Sequence, residues 1–248
     1  MQYTSQRFDR LDESKQQRVL QAAISEFAAR GYEAANINKI AEVADISVGS
    51  LYKYFASKED LFLYVIQISS NLIENELRAV NEAPFMNVED KIEKVLRIIL
   101  RTNREQNDLI RLYLQLASST YDDMTEQLGF NLENFTANCY RKILQDGQTK
   151  GEVRADIDPA MAAYHLDNIF MALQYSYTSG YLRERYRIYV KEGIDSSEND
   201  EFVIAETMKF LRGALLSKNV WCEEIAMFIL MLAGTIFSIL LSWGKNFM

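Results

Sequence analysis

The stretch Ile46–Phe55, ISVGSLYKYF, decides how the first part of this 248-residue chain folds. Val48, Leu51 and Phe55 recur at spacings of three and four, so they share one face of a short helix. Ser47 can cap that helix, and serine, glycine, lysine and tyrosine are left on its other face. Because a helix this short is not stable alone, its neighbours must supply a core.

The flanking residues predict a small bundle of helices around this stretch. A first helix is expected over Ser14–Arg30, capped by its first residue and ended by Gly31. Asn36 is expected to cap a second, short helix, and Ser57 a fourth, longer one that begins near Leu61. Two short helices joined by a tight turn form a helix-turn-helix, whose second helix lies in the major groove of DNA.

The exposed side chains of residues 47–54 bear on what this bundle binds. Gly49 lets a DNA duplex approach the backbone closely, and serine, lysine and tyrosine side chains can donate hydrogen bonds to phosphates and base edges. A groove for a protein partner would instead present exposed leucine, methionine or phenylalanine. The alternative is a helical bundle whose tyrosines merely lie at its rim.

Residues 31–62 resemble the signature of the TetR/AcrR family, roughly G-[YF]-x-x-T-[ST]-[VIM]-x-x-I-A-x-x-A-G-V-S-x-G-x-[LIF]-Y-x-[YH]-F-x-S-K-E-x-L. The resemblance implies an N-terminal three-helix DNA-binding domain and a C-terminal helical domain for dimerisation and ligand binding. The sequence departs from the signature at two points. Asp45 replaces the usual turn glycine, and aspartate can enter the left-handed region. Ala35-Asn36 replaces Thr-[Ser/Thr], so Asn36 must supply the cap and any phosphate contact alone.

Eight residues in and around the motif are predicted to contact DNA. Ser50 and Lys53 are assigned to reading base edges, and Tyr54 and Lys58 to positioning on phosphates. The complete set is Asn36, Ser47, Gly49, Ser50, Tyr52, Lys53, Tyr54 and Lys58.

The rest of the chain is also predicted to be helical, which makes the fold class all-α. Glycine and proline are scarce, with 10 and 2 residues, and apolar residues recur at helical spacing. Helices are expected at about 58–81, 88–105, 107–120, 122–128, 131–149, 159–191 and 200–216. By resemblance, the last two pair with their copies in the four-helix bundle of a homodimer.

A cluster of aromatic, methionine and polar residues is the candidate binding site for an unidentified small-molecule effector. Small-molecule pockets have this composition, and so do dimer cores. His165 is more often a satisfied interface histidine than a ligand contact. The candidate residues are Tyr140, Tyr164, His165, Asn168, Met171 and Tyr175.

Composition and charge argue against catalysis and against a general polyanion-binding surface. The net charge is −8, of which residues 1–66 carry −1, so any DNA contact must be a local patch in the N-terminal quarter. With one histidine, no CxxC pair and no glycine-rich phosphate loop, we predict neither enzymatic activity nor a metal or other cofactor. Two distant cysteines and a charged N-terminus favour the cytoplasm.

The segment 225–243 is not covered by the resemblance. Its 19 residues carry no charge, and as a helix they would span about 28 Å, close to the roughly 30 Å of a bilayer core. We expect a membrane anchor that holds the protein at the inner face of the cell membrane. The alternatives are an extra buried helix, a segment swapped across the dimer, and a tail without a role.

Together these patterns predict a DNA-binding domain at 1–60, an effector-binding and dimerisation domain at 61–217, and a hydrophobic tail at 218–248. The predicted function is a ligand-responsive repressor that binds a palindromic, double-stranded DNA operator as a homodimer. The competing hypothesis is a membrane-tethered helical adaptor that binds a protein partner through its N-terminal bundle.

Overall fold

The structure is a computed structural model that describes residues 3–118, 123–191 and 199–217. These ranges hold eleven helices and, besides one isolated bridge between Val153 and Leu216, no β-structure. The predicted all-α class is therefore confirmed. The helices are α1 (Gln6–Asp9), α2 (Glu13–Ala34), α3 (Ile37–Val43), α4 (Val48–Tyr54), α5 (Lys58–Glu82), α6 (Val88–Glu105), α7 (Asn107–Ser118), α8 (Asp123–Thr149), α9 (Pro159–Thr178), α10 (Gly180–Val190) and α11 (Asp200–Leu215).

Side-chain caps begin the helices of the helix-turn-helix. Asn36, Ser47 and Ser57 each accept a hydrogen bond from a backbone N–H in the first turn of α3, α4 and α5, as predicted. Helix α5 begins at Lys58, directly after its cap, and not near Leu61. The starts of all three helices are thus fixed by residues within three positions of them.

Helix α2 begins earlier than predicted, and its helical geometry breaks at the predicted end. Asp12, and not Ser14, is the N-cap, because its carboxylate accepts a hydrogen bond from the Lys15 N–H at 2.9 Å. Hydrogen bonds from the Ser14 hydroxyl and the Lys15 amide lower the pKa of Asp12. The α-helical backbone is interrupted at Gly31, as predicted, because Gly31 adopts φ 71° and ψ 171°, a conformation open to glycine without strain, and a further turn follows to Ala34.

Asp45 makes the turn between α3 and α4. Its φ of 56° lies in the left-handed region, which confirms that an aspartate can stand where the family signature has glycine. Its N–H donates to the Glu42 carbonyl at 3.1 Å, and the next N–H, of Ile46, donates to the Ala41 carbonyl at 3.0 Å. The backbone bonds of this turn fix the direction of α4 relative to α3.

Two hydrophobic clusters form the interior of the described chain. The N-terminal cluster combines α1 to α4 and the first turns of α5 with two leucines of α7, Leu109 and Leu112. The second cluster is built from the remainder of α5 together with α6, α8, α9 and α11. Helix α5 therefore runs through both clusters, and the predicted domain boundary at residue 60 stays a prediction.

The C-terminal helices differ from prediction in two places. Helix α8 is continuous through Gly129, where the sequence suggested a break. A single glycine costs a helix only about 1 kcal/mol relative to alanine, and α8 packs against both α5 and α9. Residues 159–191 form two helices instead of one, because Ser179 accepts a hydrogen bond from the Leu182 N–H and caps α10.

The predicted membrane anchor, residues 225–243, lies outside the described residues and stays a prediction. Within residues 3–118, 123–191 and 199–217, no helix combines the length and the apolarity needed to cross a bilayer.

Gly147 in α8 tests the packing of this helix. A Cβ at Gly147 would lie 2.4 Å from a methyl group of Val88 and 2.6 Å from one of Val153. We expect Gly147→Ala to lower the free energy of unfolding by about 1–3 kcal/mol in urea denaturation, although alanine is the better helix former. Gly180→Ala is the control, since nothing lies within 4 Å of its Cβ. Equal loss of stability in both variants would contradict this packing.

Candidate nucleic-acid interface and internal cavity

Helix α4 is fixed to the N-terminal cluster by one face and by its C-terminal end. Leu51 and Phe55 are each 2 % exposed and anchor that face. At the end of the helix, Ser5 donates its N–H to the Tyr54 carbonyl at 2.9 Å and its hydroxyl to the Lys53 carbonyl at 2.7 Å. The opposite face of α4 therefore has a fixed position and direction.

Four of the predicted DNA-contact residues lie on this exposed face. Ser47, Gly49, Tyr52 and Lys53 are all exposed, and half of the Tyr52 surface is open to solvent. A Cβ placed on Gly49 would meet only the Ser47 hydroxyl, at 3.9 Å. The protein's own packing therefore leaves the Gly49 backbone open to a ligand as large as a DNA duplex.

Ser50 and Tyr54 take part in contacts within the protein. The Ser50 hydroxyl lies 2.8 Å from the Ser47 hydroxyl, and its N–H donates to the same oxygen at 3.0 Å. Tyr54 is half-buried, with its ring centroid 5.8 Å from that of Phe8. Both hydroxyl groups lie at the rim of the exposed face, and their assigned DNA contacts stay predictions.

Lys58 and Asn36 also have partners in the protein. The Lys58 ammonium donates to the Glu33 carbonyl at 3.0 Å and lies 5.0 Å from the centroid of the Tyr32 ring. The Asn36 side chain accepts from the Asn38 N–H at 2.9 Å as the cap of α3. A lysine has three N–H donors, so one bond to a carbonyl leaves two for a phosphate.

Helix α1 and the exposed side chains of α3 are features that the sequence did not predict. Phe8 in α1 is buried, with its ring centroid 4.8 Å from that of Phe55. An isolated phenylalanine in a polar stretch was the only signal for this helix. On α3, Asn38 and Lys39 are exposed beside α4, and Lys39 pairs with Glu42 at 3.1 Å. The face around α4 thus carries charges of both signs.

A small cavity of about 50 Å³ lies between α5, α6, α7, α8 and α9. Its walls are largely aliphatic and aromatic, with Ile73, Ile98 and Phe170 among them. Two carboxylates, Glu133 and Asp167, interrupt this apolar lining. Among the residues that the structure describes, no group of three or more histidine, cysteine, aspartate or glutamate side chains could hold a metal ion.

Burial and charge raise the pKa values of the groups around this cavity. Burial, and then the Glu133 charge, raise the pKa of Asp167 from 3.8 to about 6. Burial raises the pKa of Tyr113, whose hydroxyl donates to Glu133, and it does the same for Tyr140. The negative charges of Glu133 and Asp167 add to both shifts. The cavity is thus an apolar space with an acidic side.

The predicted ligand-binding residues come from α8 and α9, and only some of them face the cavity. Tyr140 and Met171 line the cavity. Tyr175 is half-buried, and its pKa is raised by this burial and then by the Glu133 charge. Tyr164 is 62 % exposed. The remaining two, His165 and Asn168, line an open groove elsewhere on the helix.

That groove is an apolar trough of about 710 Å³ between α9 and α11. Met161 and Phe210 lie at its sides and are 54 % and 64 % exposed. Exposed large apolar side chains concentrated along one face commonly mark a protein–protein contact.

Helix α7 connects the cavity with the N-terminal cluster. Ile110 and Tyr113 line the cavity, and Leu112, 1 % exposed, is part of the N-terminal core. The carboxylate of Asp108 in the first turn of α7 accepts a hydrogen bond from the Ser25 hydroxyl of α2 at 3.1 Å. A displacement of α7 by a group in the cavity must therefore disturb the packing of α2.

Comparison with known proteins agrees with this architecture. Residues 19–65 match the model of the family described as bacterial regulatory proteins, tetR family. The probable acrEF/envCD operon repressor of Escherichia coli (strain K12) is 28 % identical over 167 residues, which cover 63 % of this chain and 73 % of the relative.

Two solved structures share the fold. A TetR family regulator from Chloroflexus aurantiacus has 22 % identity and a TM-score of 0.64, covering 87 % of this chain and 99 % of that one. FadR from Bacillus subtilis, solved in complex with stearoyl-CoA, has 18 % identity and a TM-score of 0.59, covering 79 % of this chain and 96 % of that one.

A helix-turn-helix with an exposed second helix, followed by a helical domain with a cavity, defines a DNA-binding transcriptional regulator. Residues 19–65 match the tetR family of bacterial regulatory proteins, and the chain is similar to TetR-family regulators. The prediction made from residues 31–62 is confirmed, and nothing in the comparisons supports the alternative of a membrane-tethered adaptor.

Asp167 gives a test of the electrostatics of the cavity. Below its ordinary pKa of 3.8 the carboxyl is mostly protonated in both the folded and the unfolded chain. Its folded pKa is raised, so stability falls as the pH rises from 3.8 through about 6. We expect Asp167→Asn to raise the melting temperature at pH 8 and to leave it nearly unchanged at pH 3.5.

The matched control for this test is Asp146→Asn. Asp146 is an acid of α8 that pairs with Lys142 at 2.7 Å and is not part of the cavity lining. Its loss should change the melting temperature little at either pH. A melting temperature of Asp167→Asn below that of the wild type at pH 8 would contradict the burial of an unpaired carboxylate.

Proposed function

We propose that this TetR-family regulator is a repressor that binds a palindromic operator as a homodimer and releases it when a small molecule occupies the cavity. The observation that carries the DNA-binding part is the exposed face of α4. Its side chains are serine, lysine and tyrosine around an open glycine backbone, held by a buried opposite face. These groups donate hydrogen bonds to phosphates and base edges, whereas no leucine, methionine or phenylalanine side chain is exposed on α4.

The groove between α9 and α11 supports the proposed homodimer. A second copy of the chain, related by a two-fold axis, would cover Met161 and Phe210 with its own copies of these residues. The two α4 helices would then face adjacent major grooves, about 34–36 Å apart. The operator should therefore be a palindrome.

Control by an effector rests on α7. A ligand that enlarges the cavity must move Ile110 or Tyr113, and on the same helix Leu109 and Leu112 pack in the N-terminal cluster. Binding to the form with displaced α7 would shift the population away from the DNA-bound arrangement. FadR from Bacillus subtilis, which shares this fold, was solved in complex with stearoyl-CoA, and this supports a small-molecule effector for this chain.

The DNA-binding assignment is tested by selection from random double-stranded DNA with the full-length chain. We expect a palindrome whose affinity falls steeply with salt, because phosphate contacts dominate the binding. Lys53→Ala should weaken binding by about 1–3 kcal/mol and relax the sequence preference. Lys58→Ala should weaken all sequences about equally, as expected for a phosphate contact.

Lys150→Ala is the control, because it removes the same charge from an exposed position after α8. It should leave both affinity and preference unchanged. A folded, dimeric protein that selects no palindrome would contradict the operator assignment. A Lys53→Ala variant that keeps the wild-type sequence preference would contradict the base-reading role of Lys53.

The dimer assignment is tested by placing a charge in the groove. Phe210→Asp should raise the dimer dissociation constant by at least about tenfold, because a buried unpaired carboxylate is strongly unfavourable. Sedimentation equilibrium of the full-length chain gives the readout. Phe85→Asp is the matched control, since Phe85 is 98 % exposed in the loop before α6 and outside the groove. If Phe210→Asp dimerises like the wild type, this groove is not the dimer interface.

A further inference from the structure

The lining of the cavity has a one-sided charge. Of its described residues, Glu133 and Asp167 are acidic, and no lysine or arginine is among them. Glu133 is solvent-exposed at one side and accepts a hydrogen bond from Tyr113. Asp167, on the facing helix α9, is largely buried, and no described residue forms a hydrogen bond or an ion pair with it. The cavity therefore holds negative charge that no described residue of its lining neutralises.

A second unpartnered group points to a missing ligand. Tyr140 is 3 % exposed and lines the same cavity. Its hydroxyl has no hydrogen-bond partner in the described part of the chain, and it lies near enough to Asp167 for the carboxylate charge to raise its pKa. Neither group has a hydrogen-bond partner among the described residues, so both are open to a ligand that enters the cavity.

Building on the proposed role of the cavity as the effector site, we propose that the effector is an amphipathic cation. Its charged nitrogen pairs with Asp167 and Glu133, and its apolar body packs against the aliphatic and aromatic walls. The proposal names a chemical class for the effector and two residues that select it by charge.

Three physical reasons favour a cation over a neutral or anionic ligand. A cation neutralises a desolvated carboxylate, so it regains the free energy lost when Asp167 was buried. The rings of Tyr113, Tyr140 and Phe170 offer π faces, which attract cations. An anionic ligand would meet two carboxylates and no basic side chain of the described lining.

The size of the cavity sets how such a ligand enters. A volume of about 50 Å³ is small beside the several hundred Å³ of most ligand pockets. Met171 lines the cavity, and the flexible side chain of methionine can change rotamer without much strain. Ligand entry therefore requires a rearrangement of the lining, which includes Ile110 and Tyr113 of α7.

The proposal also predicts how binding depends on pH. Asp167 loses its proton near pH 6, so a permanently charged cation should bind more tightly as the pH rises from 5 to 7.5. The titratable groups facing Asp167 are Glu133 and Tyr140 of α8 and Tyr113 of α7. Neither tyrosine ionises in this range, since the pKa of each is raised above 10. The lining from α5 and α6 is not titratable, and α10, which packs against α9, contributes no residue to it.

The test compares three probes with the same eight-carbon chain and different charges. Octyltrimethylammonium, octan-1-ol and octanoate are titrated into the full-length chain at pH 7.5 by isothermal titration calorimetry. We expect the cation to bind at least about tenfold more tightly than the alcohol, since pairing with a charged group contributes roughly 1.5–3 kcal/mol, and octanoate to bind most weakly.

Two variants and one control locate the charge preference. Asp167→Asn and Glu133→Gln should each reduce affinity for the cation by about tenfold while affinity for the alcohol changes little. Asp167→Asn should also abolish the increase in affinity between pH 5 and 7.5. Asp146→Asn removes an acid of α8 outside the cavity lining and should behave as the wild type. Because the pH profile is read by binding, a merely structural role of Asp167 would not produce this result.

The outcomes separate the charge proposal from the proposed function. Absence of cation binding, tighter binding of octanol or octanoate, or unchanged cation affinity in Asp167→Asn overturns the charge proposal. If octanol or octanoate then releases the operator in a DNA-binding assay, the cavity is still an effector site of another specificity. If the cation binds with the predicted dependence on Asp167 but leaves operator affinity unchanged, the charge proposal holds and effector control by this cavity fails.

Discussion

The packing of α7 is the constraint on which the rest of the structure depends. Leu112 on this helix is buried in the N-terminal core, and its neighbour in sequence, Tyr113, lines the internal cavity. Successive residues of a helix point about 100° apart, so one short helix can belong to two cores at once. Because both cores are close-packed, the helix cannot shift in one without disturbing the other.

This constraint bears on how an acidic protein, with a net charge of −8, can control binding to DNA, which is itself negatively charged. The face around α4 carries lysine and acidic side chains together, so DNA affinity depends on the position of a few donors more than on a general positive field. The contacts of Ser5 and Phe8 with α4 fix that position within one protomer. The separation of the two α4 helices in a dimer would then depend on how the N-terminal cluster packs against α5 and α7. A ligand would change that separation by altering this packing.

Local chemistry made the N-terminal part predictable. Asn36, Ser47 and Ser57 bond to amides two or three residues away, so their role as caps can be inferred from a few adjacent letters of the sequence. Asp45 is another local case, since few residues other than glycine tolerate its turn conformation. Helix α1 was missed because it has four residues and depends on a contact between Phe8 and Phe55, which lie 47 positions apart.

The cavity was less accessible to sequence reasoning because it is assembled from five helices. The sequence cluster from Tyr140 to Tyr175 contained Tyr140 and Met171, which do line the cavity, together with His165 and Asn168, which line the groove. Asp167 stands between His165 and Asn168 in sequence and is not in the predicted set, although a lone acid in a largely apolar helix is a recognisable signal. Which face of α9 turns inward depends on contacts with α6, α7 and α8, and the local spacing of apolar residues in the sequence does not predict those contacts.

The most direct test of the account is amide hydrogen exchange on the full-length chain with and without its operator. The cavity-lining segments 98–113 of α6 and α7 and 167–174 of α9 are not part of the predicted DNA-contact set. If α7 couples the two cores, operator binding should change exchange rates in these segments as well as in α2 to α4, because linkage between two sites is reciprocal. Changes confined to residues 3–66 would contradict the coupling.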